Sequence, residues 1–459
     1  MNQRENQPEV STAMGILRRY FRIEENNSTI WKEIVGGLTT FVTMAYILVV
    51  NPALLLPAFE KDLVGALTIA TGLTCMVGCL LMGLYANRPI GVAPYMGENA
   101  FLALFVVTAG VTWQQLLGTV FVSGLAFLVL TLLGLRKWLA GSLSPSMKYS
   151  FAVGIGLFLF FVGANQTGLV TVGVEGAPVR LGSITTPEVQ LAILGFFLIM
   201  ILMYWRIPGA ILIGIAVVAI LGFVRGVGVP LPEEMKIVAL PWSEEYDVTR
   251  VAGKLDIHGV LKAEFFPILL TLFLISFLDT MGTLVALGSS AGLLDEKGDF
   301  PEVEKPMLVD SIACVFSGFI GTTTSGAYIE SGTGIREGAR TGLAAVVIGV
   351  MFGISLFFIP CIQPIQGMAF AYGPALMTVG VLMIGEVRKI DFDDFTEKVP
   401  ALVTITMMVF TYNIANGLTA GLALYPLFKV VTGRWKELKV GSIVLGVACL
   451  LYYVVGQAH

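Results

Sequence analysis

Three carboxylates stand where a carboxylate is costly. Glu98, Asp279 and Glu330 fall in apolar stretches of a 459-residue chain that is 56% hydrophobic and only 13% charged. Asp279 sits in FLISFLDTMGTLVALGSS, with residues 265–278 before it and 280–294 after it uncharged. That places it near the middle of a membrane span of about 20 residues. Inserting a central carboxylate costs on the order of 3 kcal/mol, so such acids usually face a bundle interior and mark an ion or substrate path. No Lys or Arg stands at similar depth to neutralise them. Each acid must be protonated, hold a cation, or accept hydrogen bonds from a solute. A flat heterocycle with adjacent N–H donors would suit a carboxylate, at roughly 1.5–3 kcal/mol per charged hydrogen bond. An inorganic anion would be repelled by two acids. Glu98 carries a second expectation: near a helix start it would cap backbone N–H groups.

The elements that must position these acids are unusual. Glu330 lies in GTTTSGAYIESGTGIREGAR, Gly321 to Arg340. Gly, Thr and Ser are poor continuous helix formers. Non-helical backbone at membrane depth is tolerated only where it is buried in protein or lines a cavity. A second such stretch, GVAPYMGENAFL from Gly91 to Leu102, also runs through a tyrosine into a glutamate. Paired interrupted segments in two halves of a chain point to a transporter site.

Composition sets the class. Soluble chains average about 25% charged residues, and here the mean hydropathy is +0.83. Residues 99–135 contain no charge at all. The chain reads as an all-α polytopic membrane protein of about 14 spans. Residues 440–456 form a further apolar segment that the sequence does not place. Lys and Arg concentrate in LRKWLAGSLSPSMK, YWRIP, IREGARTG, EVRKIDFDDFTEKVP and TGRWKELK, while LPEEMKIVALPWSEEYD is acidic. Loop cations mark the cytosolic side. With the N-terminus inside, the pattern closes only if the first half has seven spans and the second runs inverted. The expected organisation is a cytosolic arm (1–30) holding Arg4, Arg18, Arg19 and Arg22, then a first repeat (31–226). An outer loop (227–262), a second repeat (263–433) and a C-terminal segment (434–459) follow.

The five cysteines, Cys75, Cys79, Cys314, Cys361 and Cys449, read as small buried residues. His258 and His459 fall outside the spans, which argues against haem or a histidine relay. No HExxH, GxSxG or Asp-rich motif lies in the spans. The reading therefore includes no catalytic residue, metal site or cofactor, and no nucleic-acid partner.

FRIEENNSTIWKEIVGGLTTFVTMAYILVVNPALL, ANRPIGVAPYMGENAF, FLDTMGTLVALGSSAGLLDEKG and TSGAYIESGTGIREGARTGL resemble the azaguanine-like branch of the nucleobase permeases, within the xanthine-uracil permease superfamily. The likeness runs from about Tyr20 to about Lys439. It implies 14 spans as two inverted sevens, a core and a gate domain, and two broken helices preceded by short extended segments. It implies import of guanine, hypoxanthine or adenine with protons by alternating access, with sodium as the alternative coupling ion. It places the protein in the inner membrane and extends to carriers that often form homodimers. Residue by residue, Glu330 matches the purine-binding glutamate, Asp279 its partner acid, and Asn99 the asparagine of the first broken helix. Tyr328, Ile329 and Gly97 match pocket-lining backbone; Thr280, Thr283 and Ser331 complete the expected site. Asp279, Glu330 and Glu98 are the expected proton carriers. The branch commonly has glycine at Tyr95 and an apolar residue at Glu98. The uracil and xanthine branch, the alternative, usually has histidine at Thr283. An anion transporter of the same fold is the other alternative.

Overall fold

The structure, a computed structural model, describes residues 12–229, 236–292 and 302–456. Arg4, Glu233 and Glu234 of the acidic loop, and His459 lie outside the described residues. Thr29 accepts the Lys32 N–H and starts helix α1 (Ile30–Met44), which turns at Ala45 and Tyr46 into α2 (Ile47–Leu55). Pro52 in α2 has no N–H, so the Leu48 carbonyl loses its usual donor. Gln366 Nε2 donates to it instead, at 2.8 Å, satisfying a group that lipid could not. Then come α3 (Val64–Leu84), strand β1 (Val92–Pro94), α4 (Met96–Ala109) and α5 (Trp113–Leu132). A capping box of Thr112 and Gln115 starts α5. The first half ends with α6 (Pro145–Gln166), the hairpin β2 (Val170–Val174) and β3 (Ala177–Leu181), α7 (Pro187–Tyr204) and α8 (Ala210–Arg225).

The second half opens with α9 (Phe266–Ala291) and α10 (Glu304–Ile320), which Gly321 ends at φ +106°. Strand β4 (Ser325–Ala327), the short α11 (Ser331–Arg336) and α12 (Gly342–Ser355) follow. The interrupted stretch Gly321 to Arg340 thus contains β4 and α11, and its last residues form part of the gap between α11 and α12. Helices α13 (Ile359–Gln366), α14 (Ala369–Ile384), α15 (Phe395–Phe410), α16 (Ile414–Val431) and α17 (Val440–Gly456) complete the chain. The unplaced 440–456 segment is thus a helix, packed on α16 and α9. Among the described residues, nine helical stretches are long and apolar enough to cross a membrane; the apolar Met96–Ala109, Ala210–Arg225 and Val440–Leu451 are shorter.

Packing repeats itself between the halves. Helix α3 lies on α12 as α10 lies on α5, and α1 on α12 as α9 on α5. Likewise α7 packs on α14 and α8 as α15 packs on α6 and α16. On the axis of this exchange, α6 meets α14 through glycines. A Cβ on Gly156 would come within 2.9 Å of the Gly380 carbonyl, and one on Gly163 within 2.7 Å of the Gly373 carbonyl. Small residues allow this close approach where lipid supplies little drive for helices to associate.

One lysine is deeply buried after all. Lys429, near the end of α16, is 2% exposed. It has no bearing on the three membrane acids, because Glu437 at 2.9 Å, Glu397 at 3.1 Å and Asp394 at 3.7 Å surround it. Arg434 adds bonds of 2.6 Å to Asp394 and to Glu437, and Ser144 at the start of α6 donates to Glu397 at 2.6 Å. The cluster ties together the ends of α6, α15 and α16. Asp394 lies outside the spans. Burial alone would raise its carboxyl, but hydrogen bonds from Thr396 and Arg434 outweigh it and hold it at about 2.

Candidate functional site

Strands β1 and β4 pair antiparallel, with Val92 opposite Ala327, Ala93 opposite Gly326 and Pro94 opposite Ser325. Two further backbone bonds of 2.9 Å, Tyr95 N to Thr324 O and Tyr328 N to Gly91 O, close the ladder at each end. Each strand is also stitched to a helix behind it by a thiol. Cys79 on α3 bonds the Val92 backbone, and Cys314 on α10 donates to the Ser325 carbonyl at 2.9 Å. Of the five cysteines, four are buried and Cys361 is half-buried. Beyond each strand a helix begins, so α4 and α11 both start at this ladder.

Glu330 precedes the first residue of α11 and is half-buried. Tyr46 Oη donates to its Oε1 at 2.7 Å. Asp279, in the middle of α9, is also half-buried and has Glu330 and Asp310 as charged neighbours. Glu98 is an electrostatic neighbour of Asp279 as well. The structure thus brings the three acids of the sequence reading, and a fourth, into one region. Among the described residues no Lys or Arg ion-pairs with Glu98, Asp279 or Glu330, and no three His, Cys, Asp or Glu gather as a metal site.

The remaining expected residues divide into two sets. Thr280 shares a 2.8 Å hydrogen bond with the Tyr95 hydroxyl, and Thr283 follows one turn later on α9. Ile329 is half exposed. These flank the acids. Tyr328 and Ser331 are instead occupied by the frame. The Tyr328 hydroxyl donates to the Pro94 carbonyl at 2.6 Å, while Ser331 Oγ donates to Tyr328 O and accepts from Gly91 N. At Gly97 a Cβ would lie 2.7 Å from Ile155 Cγ2, so its backbone abuts α6.

Asn99 is fully buried. Its amide donates to Asn51 Oδ1, and its own Oδ1 accepts from the Thr323 hydroxyl. Asn51 in turn donates to Thr71 at 2.7 Å and Thr322 at 3.0 Å. Glu98 caps no backbone N–H. Its Oε2 accepts from Ser276 at 2.9 Å and from the Thr324 hydroxyl, and its buried Oε1 has no partner among the described residues.

Sequence reasoning missed Tyr46, Asn51 and Asp310. Asp310 is fully buried on α10 and accepts from Ala327 N at 3.3 Å. Its signal was an acid inside SIACVFSG-type apolar sequence, masked by the charged Glu304 and Lys305 just before it. Tyr46 and Asn51 are single polar groups in the apolar run TMAYILVVNP.

The chain as a whole is similar to known proteins. Residues 31–420 match the model of a permease family. Adenine permease AdeQ of Escherichia coli is 37% identical over 442 residues, covering 96% of this chain and 97% of its own length. Guanine/hypoxanthine permease PbuG of Bacillus subtilis is 38% identical over 448 residues, covering 95% and 99%. In fold the chain is similar to the transmembrane domain of a cyanobacterium bicarbonate transporter, BicA. The TM-score is 0.57 at 15% identity, covering 84% of this chain and 97% of that one. With a family model spanning most of its length and relatives aligned nearly end to end, the chain belongs to the permease family, in the azaguanine-like branch that its motifs resemble.

Proposed function

We propose that this permease imports purine nucleobases (guanine, hypoxanthine or adenine) together with protons, by alternating access. One observation carries the reading: Glu330 and Asp279 are charged neighbours, both half-buried, with no Lys or Arg ion-paired to either among the described residues. Such a pair grips N–H donors and repels an inorganic anion. The relatives named as adenine and guanine/hypoxanthine permeases support the choice of solute. Glu330 accepts from the base. Asp279, which also holds the base, carries the proton with Glu330 and Glu98, and sodium is the alternative coupling ion. Thr280, Thr283 and the backbone at Ile329 line the base, and Asn99 holds the first broken helix. One proton entering down 100 mV releases about 2.3 kcal/mol, enough for roughly 50-fold accumulation.

The packing exchange between halves supports 14 spans in two inverted sevens, residues 31–226 and 263–433. In this reading α1–α5 and α9–α12 form the core, and α6–α8 and α14–α16 the gate. The protein sits in the inner membrane with a cytosolic N-terminus and works as a homodimer. The likeness to BicA favours a second reading, an anion transporter; the two unneutralised acids oppose it.

Uptake of radiolabelled guanine, hypoxanthine, adenine, xanthine, uracil and bicarbonate into proteoliposomes, with and without an inward proton gradient, tests both. The reading expects gradient-driven purine uptake that Glu330→Gln abolishes. Full purine uptake by Glu330→Gln, or bicarbonate uptake alone, would refute it.

A further inference from the structure

One oxygen of Glu330 is engaged before any solute arrives. Tyr46 Oη donates to Oε1 at 2.7 Å, and Tyr46 is itself fully buried at the turn between α1 and α2. Glu330 is the only hydrogen-bond partner of that hydroxyl among the described residues.

From Tyr46 a seam runs back along one face of α1, at helical spacing. The hydroxyls of Thr43 and Thr333 lie 3.4 Å apart, and Thr333 donates to the Glu330 carbonyl at 2.7 Å. Gly36 touches α11 so closely that a Cβ there would lie 2.8 Å from the Gly334 carbonyl and 2.6 Å from Ala339 Cβ. A Cβ on Gly334 would in turn strike the Gly36 carbonyl and the Thr40 hydroxyl. One turn before Gly36, the buried Glu33 accepts the N–H groups of Arg340 at 2.9 Å and Thr341 at 3.2 Å, and the Ser28 hydroxyl at 2.5 Å. Thus α1 holds the segment on both sides of α11, a helix of only six residues. A helix that short does not keep its own geometry.

We propose that Tyr46 is a positioning residue for Glu330, fixing its carboxylate while the α1 seam fixes the short helix that carries it. The proposal rests on the reading of Glu330 as the base-binding carboxylate. A carboxylate held in its bound orientation loses less freedom when the base arrives, and so binds more tightly.

The test is equilibrium binding of tritiated hypoxanthine to the purified full-length protein in four forms: parent, Tyr46→Phe, Glu330→Gln and the double variant. Losing one hydrogen bond to a charged group predicts about tenfold weaker binding for Tyr46→Phe. In the Glu330→Gln background the same change should have almost no effect, because the two residues act as one unit. A merely structural tyrosine would weaken both backgrounds alike, and that additivity would overturn the proposal. So would unchanged affinity in Tyr46→Phe while Glu330→Gln loses binding. If Glu330→Gln itself binds like the parent, the assignment of the base site fails instead. Should Tyr46→Phe not survive purification, Gly36→Ala asks the same question by pushing α1 off α11. A comparable loss, absent over Glu330→Gln, supports the seam, and affinity within about twofold of the parent overturns it.

Discussion

The two broken helices begin alike and end differently. Each follows a three-residue strand of one ladder, passes a tyrosine, and turns into helix at a strand stitched from behind by a cysteine. Helix α4 then runs for 14 residues, and the polar groups of its first turn bond to buried protein groups, except Glu98 Oε1, which has no partner among the described residues. Asn99 bonds Asn51 and Thr323, and Glu98 bonds Ser276 and Thr324. Helix α11 stops after six residues, leaves Glu330 half-buried, and leans on α1 for support. Similar local sequence therefore leads to two different settings: a buried polar network at the start of α4, and a half-buried carboxylate at the start of α11.

The contrast predicts opposite phenotypes. Glu330→Gln should cost the larger binding energy, about 100-fold in base affinity if two charged hydrogen bonds weaken, with the melting temperature nearly unchanged. Asn99→Leu should do the reverse. It strands buried groups on Asn51 and Thr323, at about 1–3 kcal/mol each. A large melting shift in detergent with near-normal affinity in the surviving protein is expected; normal melting with lost binding would put Asn99 in the pocket.

Glu98→Gln sharpens the comparison further. If α4 serves the proton and α11 the base, this variant keeps affinity within a few-fold yet loses gradient-driven accumulation in proteoliposomes. Retained accumulation would leave Asp279 and Glu330 as the carriers. The smallest effects belong to the ladder supports. Cys79→Ser and Cys314→Ser should lower stability equally, by about 1 kcal/mol or less, since serine keeps a hydrogen bond at each place. A much larger shift at one of them would break the equivalence of the two strands.

Acid titration probes the Lys429 cluster. Asp394 has a folded value of about 2, below its ordinary 3.8. Its contribution to stability is complete above pH 3.8 and lost only as pH falls toward 2. A melting temperature that holds down to about pH 4 and falls below it is expected; a fall that sets in nearer neutral pH would show that other groups set the acid stability.

Much of this was legible in the residues. A Gly/Pro-containing run before Glu98 and a Gly/Thr/Ser-rich run around Glu330 announced two interruptions, and the apolar flanks of Asp279 announced its mid-helix position. The ladder itself was not legible, because three residues per strand are too few to show a period of two. Nor was the setting of Asn99, whose partners lie 48 and 224 positions away. Asn99 reads like a ligand-binding amide until the fold supplies Asn51. Tyr46 reads like any aromatic in an apolar helix, and only a partner 284 positions distant gives its hydroxyl a purpose. Lys429 sits among loop cations in the sequence, and burial by three acids is visible only once α15 and α16 are packed.

The β1–β4 tie is made by main-chain atoms, and its side chains are small: Ser325, Gly326 and Ala327 on one strand. Backbone bonds do not depend on which side chains stand beside them. Ile329, half exposed next to the ladder, can therefore vary in a descendant chain without dismantling the joint that keeps its two half-molecules together.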